Sequence, residues 1–273
     1  MIDLDAYFAR IGYSGPTAPT LATLAGIVER HVEAIPFENL NVLLGLGIDL
    51  SPAAIERKLV TDRRGGYCFE QNGFLLLVLE HLGFDVTPLS ARVRVGRPRD
   101  FTPPRTHLFV RLELEGHPWL ADVGVGGLSL TAPIRFELDV EQGTPHEPRR
   151  IVHEAGRYFH QARLADEWVD VCEFTGEAMP PIDRELANWY TSAHPQSHFR
   201  SRLMAARSLP AGGRLTLLNR ELTVRGRDGM GQKRQVASPD ELVAVLDREF
   251  GLQFPPGTVF PCEGLDWGVQ AGT

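Results

Sequence analysis

From Phe74 to Leu82 the chain reads Phe-Leu-Leu-Leu-Val-Leu-Glu-His-Leu, apolar nearly all the way round a helix. Gly83 stands where a C-terminal cap belongs. A helix with so little polar face must be covered on every side, so the remaining elements are expected to pack around it. The residues leading into it are Arg63-Arg64-Gly65-Gly66-Tyr67-Cys68-Phe69-Glu70-Gln71-Asn72-Gly73, a polar, glycine-bearing loop. Cys68 is thereby placed at or near the helix N-terminus. Unpaired backbone N–H groups and the positive end of the helix dipole favour the nucleophilic thiolate there. Gly65 and Gly66 are expected to let the backbone turn sharply and approach a ligand closely. On its own, a cysteine beside an apolar helix is commonly just a buried cysteine; its partners decide the matter.

Upstream of Cys68 the pattern is helical. Asp3 caps a helix through Arg10 with Gly12 following, and Thr20 caps a second one with Leu21, Leu24, Ile27, Val28 and His31 at helical spacing. Pro36 stops that helix. Ser51-Pro52 reads as a cap with proline at the first helical position, opening a helix to about Val60.

Beyond Gly83 the period changes to two. Strands are expected at Val86–Val95, His107–Leu114, Pro118–Val123 and Ile134–Leu138, then at Arg149–Val152, Arg157–Leu164 and Glu167–Phe174. This β-rich middle suits a small barrel or closed sheet. Prolines at 180 and 181 and the Ser192–His198 stretch mark a second change. Then come a hairpin of Leu215–Leu218 with Glu221–Val224, an Asp228-Gly229 turn into another strand, and a helix from Ser238 to Phe250 closed by Gly251. Glu241, three residues after Ser238, completes a capping-box spacing.

No apolar run approaches the roughly 18 residues of a membrane span. The acidic start, Met1-Ile2-Asp3-Leu4-Asp5, lacks the form of a signal peptide. A net charge of −7 argues against nucleic acid as the main partner. Three widely spaced cysteines give neither a disulfide framework nor a zinc site, so a reducing cytoplasm and no metal are expected.

The strand from His107 alternates cleanly: Leu108, Val110, Leu112 and Leu114 form an apolar row, opposed by His107, Phe109, Arg111 and Glu113. Glu115-Gly116 serves as a two-residue turn into the next strand. Leu114 then pairs with His117, Val110 with Ala121, and Phe109 with Asp122, so the apolar rows share one face. His107 and Asp122 share the other as diagonal neighbours, with Cβ atoms roughly 7–8 Å apart or somewhat less. A slip of one residue would separate them, so their meeting is tied to burial of the Leu/Val row. Gly124-Val125-Gly126-Gly127 follows, without the Lys-Ser/Thr ending of a phosphate loop.

A Cys nucleophile, a His base and a carboxylate that orients the His are the parts of a covalent acyl-transfer site. Cys68, His107 and Asp122 are the candidates, with backbone N–H groups near Cys68 to bind the oxyanion.

With those residues in place the sequence resembles the arylamine N-acetyltransferase family. The likeness rests on Arg64 to Asn72, on Thr106-His107 and on Asp122-Val123-Gly124. It extends to Arg10-Ile11-Gly12-Tyr13, Ile35 to Asn39, and Asn188 to Phe199. It implies an α+β, cysteine-protease-like fold. A helical domain (residues 1–84) would carry the nucleophile, a β-barrel domain (85–190) the His and Asp, and an α/β lid domain would span 191–273. It implies acetyl-CoA as donor, arylamines or hydrazines as acceptors, and an acetyl-cysteine intermediate. It also implies that Phe37, Val125 and Phe199 line the acceptor pocket, with Gly126 and Gly127 near the coenzyme. Many relatives carry an aromatic residue where this chain has Val125. The alternative is a cysteine-triad hydrolase or amide synthase using another acyl donor.

Other features read more plainly. Cys172 and Cys262 are structural. His194 and His198 have ligand-like spacing, but Pro195 breaks the helix they would need. Arg63 and Arg64 either meet coenzyme phosphates or pair with a carboxylate, and Glu38 and Glu70 support the site from behind or act as solvated or capping groups.

Overall fold

In the computed structural model, which describes residues 2–227 and 230–267, the first third is helical. Helix α1 (Leu4–Ile11) is capped by Asp3, whose carboxylate accepts the Ala6 N–H, and ends at Gly12 with φ 66°. Thr20 caps α2 (Leu21–Ala34), which buries Leu24, Ile27, Val28 and His31. The chain then extends as β1 (Phe37–Glu38), turns once as α3 (Leu40–Leu43), and enters α4 (Pro52–Glu56). Here the structure corrects two expectations. Ser51 makes no side-chain cap; its own N–H donates to Asp49 at 2.8 Å. The helix also does not stay α to Val60: Arg57–Thr61 widens into a π turn. Helix α5 (Cys68–His81) begins six residues before the apolar run, with Cys68 as its first residue, and every residue from Cys68 to Leu79 except Leu77 is buried.

The period-two region forms β2 (Asp85–Val93), β3 (His107–Leu114), β4 (His117–Ala121), β5 (Ile134–Arg135), β6 (Arg149–Glu154), β7 (Arg157–Leu164) and β8 (Glu167–Ala178). They make one sheet in the order β5-β4-β3-β2-β8-β7-β6. Bridges from Leu138 to Ile151 and from Gln142 to Arg149 bring the chain after β5 back to β6, nearly closing a barrel. The β3–β4 register is Leu114 with His117, Leu112 with Trp119 and Val110 with Ala121. Glu115 and Gly116 have φ of 54° and 75°, the two left-handed positions of a type I′ turn. Strand β4 stops two residues short of Val123, because the Asp122 carbonyl accepts from Leu130 N–H at 2.8 Å and the chain folds back on itself. β5 is likewise only two residues long. Both faces of the hairpin are buried: Val110, Leu112 and Ala121 pack on α5, while Phe109 and Leu120 fill the barrel.

Helices α6 (Pro181–Ala193) and α7 (His198–Ser201) lead to β9 (Met204–Ser208), β10 (Arg214–Leu218), β11 (Glu221–Arg225) and β12 (Gly231–Gln235). Helix α8 (Pro239–Phe250) follows, its Glu241 N–H donating to Ser238 Oγ at 3.1 Å. The Asp228-Gly229 turn lies outside the described residues. The sheet runs β1-β9-β10-β11-β12, so a two-residue strand from the helical part forms its edge. α8 packs on it through Leu242, Val245, Leu246 and Phe250. The fold is α+β. Among the described residues no helix is long and apolar enough to cross a membrane.

Candidate active site

Cys68, His107 and Asp122 come from the start of α5, the start of β3 and the residue after β4, and are 4%, 1% and 2% exposed. His107 Nε2 and an oxygen of Asp122 are 2.7 Å apart. Cys68 is also among the groups that raise this ring, and with Nε2 turned to Asp122, Nδ1 is the nitrogen left free for the sulfur. Cys68 Sγ also lies 3.5 Å from the Thr106 carbonyl. Burial works against a charged His107, but the charge and hydrogen bond of Asp122, with Cys68 behind them, outweigh it and raise the ring to about 10. Burial likewise disfavours the Asp122 carboxylate, yet His107, Asn72 and the Gly124 N–H hold it below the ordinary range. Asp122 is thus an ionised partner for a ring that keeps its proton.

Asn72 fixes this arrangement from one helical turn beyond Cys68. Its Nδ2 donates to Asp122 Oδ1 at 2.8 Å and to the Leu108 carbonyl at 2.6 Å; its Oδ1 accepts from Val123 N–H at 2.9 Å. Gly124 N–H donates to Asp122 Oδ1 at 3.0 Å. Gly124 is glycine because a Cβ there would sit 2.7 Å from Cys68 Cα and 2.6 Å from Asn72 Nδ2. Sequence reasoning did not single out Asn72. The signal was present: a polar residue at i+4 from the cysteine, on a helix with no solvent face.

Behind α5, Gln71 Nε2 donates to the carbonyls of Pro36 and Gly66 at 2.8 and 3.2 Å. Its Oε1 must then accept, at 2.6 Å, from His31 Nε2, which leaves His31 Nδ1 to accept from Tyr7 Oη at 2.9 Å. Burial lowers His31 to about 4, so it stays neutral in this relay. Glu38 and Glu70 are not solvated: Glu38 pairs with Arg64 at 3.0 Å and Glu70 with Lys58 at 2.5 Å, both in the interior. Each also caps a helix, Glu38 through Leu40 N–H and Glu70 through Tyr67 N–H. Arg64 is therefore committed to a carboxylate, and its guanidinium also lies over Phe254. Gly65 and Gly66 serve close packing rather than a sharp turn. A Cβ on Gly65 would meet the Pro36 carbonyl at 2.0 Å and one on Gly66 would meet Glu70 at 2.7 Å; the left-handed residue of this loop is Arg63, with φ 52°.

Phe37 and Phe199 pack in one cluster with Tyr67, Cys68, Phe69 and Leu108, with 6.3 Å between their ring centroids. Tyr67 Oη donates to Asn188 of α6. Val125, half-buried, packs against Leu128, Ala162 and Val171. The N–H groups of Val125 and Gly126 are occupied by Ser129 Oγ at 3.1 and 3.0 Å. Gly126 lies on the Phe37 ring with φ 90°, a left-handed position that itself favours glycine, and Gly127 packs on Thr216. Cys172 is buried beside His160 and Cys262 is half-buried. His194 stacks on Tyr190 at 4.6 Å.

A family model described as N-acetyltransferase matches residues 20–258. The arylamine N-acetyltransferase of Escherichia coli (strain K12) is 42% identical over 249 residues, spanning 91% of this chain and 88% of that protein. That of Mycobacterium tuberculosis is 42% identical over 255 residues, spanning 92% and 89%. The structure of Mycobacterium marinum arylamine N-acetyltransferase in complex with CoA is similar with a TM-score of 0.88 at 40% identity, covering 92% of this chain and 93% of that one.

Proposed function

The chain belongs to the arylamine N-acetyltransferase family and is an acyltransferase; on that premise we propose that it moves acetyl from acetyl-CoA to the nitrogen of arylamines or hydrazines through an acetyl-Cys68 thioester. In this reading residues 1–84 bring the nucleophile, 85–190 the base and its carboxylate, and the remainder covers the acceptor side. Phe37 and Phe199 provide an aromatic wall for the acceptor ring.

The observation that carries the reading is the buried His107–Asp122 pair at 2.7 Å, with Cys68 buried at the start of α5 and its sulfur 3.5 Å from the carbonyl of Thr106, the residue before His107. The thiol proton rests on His107 Nδ1 when Sγ attacks the thioester carbonyl. The oxyanion is met by backbone N–H at the open end of α5. The carbonyl reforms, the bond to the CoA sulfur breaks, and His107 returns its proton to that sulfur. In the second half the amine nitrogen attacks acetyl-Cys68. His107 takes a proton from the amine, the C–S bond breaks, and the same proton restores the thiol. Asp122 stabilises the imidazolium in both halves and fixes which ring nitrogen is free. The CoA-bound relative supports the donor.

A free enzyme that alternates between thiol and thioester gives parallel double-reciprocal plots when donor and acceptor are varied. Intersecting lines, the sign of a ternary complex, would count against the intermediate.

A further inference from the structure

Strand β10 lies outside the barrel, yet it grips the loop that follows Asp122 at two points. Thr216 is aligned with Ala206 of β9, and Ala206 with Phe37 of β1, so the three form a row across the five-stranded sheet. Gly126 and Gly127 lie across that row: a Cβ on the first would meet the Phe37 ring at 3.3 Å, and one on the second would meet Thr216 Cγ2 at 2.9 Å. Two residues along β10 and on the same face, Arg214 is 2% exposed. Its Nη2 donates to the Ser129 carbonyl at 3.0 Å and to Glu147 at 2.5 Å, and its Nη1 to Ser208 Oγ at 3.0 Å. From the barrel side, Arg149 Nη2 reaches the same Ser129 carbonyl at 3.3 Å and the same Glu147. Ser129 in turn holds the N–H groups of Val125 and Gly126.

Asp122 is secured independently, by His107 and by Asn72 on α5. What β10 secures is the backbone from Val125 to Ser129, which faces Phe37 rather than the reacting atoms. We propose that Arg214 and Thr216 are positioning residues that set the height of this backbone over Phe37, and with it the shape of the acceptor side of the site. This rests on the reading of Cys68, His107 and Asp122 given above.

The test uses the full chain, with two readouts: single-turnover acetylation of Cys68 by acetyl-CoA, followed by mass, and the steady-state KM for a para-substituted aniline. Arg214→Met does not strand Glu147, which keeps Arg149 and, at 3.9 Å, Arg225. Loss of the charge-assisted hydrogen bond to the Ser129 carbonyl should raise the acceptor KM about tenfold while acetylation of Cys68 stays within about twofold. Arg214→Lys, which keeps the charge without the fork, should recover part of the loss. Gly127→Ala should raise the acceptor KM by pressing its methyl on Thr216. Thr216→Ser, which removes the atom it strikes, should restore the wild-type value in the double variant. The proposal is overturned if that rescue is absent, if the acceptor KM of these variants is unchanged, or if Arg214→Met slows both half-reactions equally. A wild-type chain that is never acetylated at Cys68 sinks the reading of the site and this proposal together. Acetylation without rescue sinks the proposal alone.

Discussion

Asp122→Asn changes a single atom and should stop the chemistry without unfolding the chain. Asp122 Oδ1 accepts from Asn72 Nδ2 and from Gly124 N–H, so the amide oxygen of the replacement must occupy that position. Its NH₂ is then left at the other oxygen's place, 2.7 Å from His107 Nε2 in the native chain. An NH₂ donates, so Nε2 must become the acceptor and the ring proton moves to Nδ1, the nitrogen that faces Cys68. That tautomer cannot take the thiol proton, and a loss of roughly a thousand- to ten-thousand-fold in Cys68 acetylation follows. The ring also loses the charge that does most to raise it from 6.5 to about 10, and with it most of its preference for imidazolium. A histidine raised on folding contributes stability that is complete below about pH 6.5 and lost as pH rises through about 10. The stability gap between wild type and Asp122→Asn should therefore narrow across that window. Stopped-flow acetylation and urea melts from pH 6 to 10 measure both effects. Acetylation within tenfold of wild type, or a gap that does not narrow, would refute the tautomer argument.

Three further outcomes follow from the geometry. Gly124→Ala sets a methyl against the Cys68 backbone and Asn72, and should cost about 1–3 kcal/mol in a urea melt, with Cys68 acetylation slowed in parallel; an unchanged melt would show that the loop is free to move. Because His107 carries its proton beside it, Cys68 should be labelled first by a small alkylating agent at neutral pH. Cys172, raised by burial and by Asp122, and Cys262, raised by burial, should lag, and peptide mapping that finds either labelled first would contradict this. Val125→Phe should overpack the barrel cluster of Leu128, Ala162 and Val171 by about 1–3 kcal/mol; an undiminished midpoint with selective loss of bulky arylamines would instead put the side chain in the acceptor cleft.

The hairpin from His107 to Asp122 could be read from sequence because its information is local: a two-residue turn, strict alternation, and one buried face that forbids a register slip. The caps at Asp3, Thr20 and Ser238 were legible for the same reason. What escaped depends on partners far along the chain. β1 is two residues long and has no pattern of its own; it is a strand only because Phe37 meets Ala206. Gly126 and Gly127 each abut a side chain of the second sheet, a contact no local pattern announces. Ser51 does hold the cap position ahead of Pro52, but its hydroxyl makes no cap hydrogen bond, which no local pattern announces. Asn72 stands among other polar residues ahead of the apolar run, and only the fold shows that Leu108, Asp122 and Val123 all converge on its amide.

The central claim is that Cys68 becomes a thioester. Mixing the protein with acetyl-CoA in the absence of acceptor, quenching in acid and measuring intact mass, then mapping the peptides, tests it directly. One acetyl group on the peptide that contains Cys68, removed when an arylamine is added before the quench, is the predicted result. An unmodified chain, or an acetyl group that maps to Cys172, Cys262 or a lysine and survives the arylamine, would contradict it.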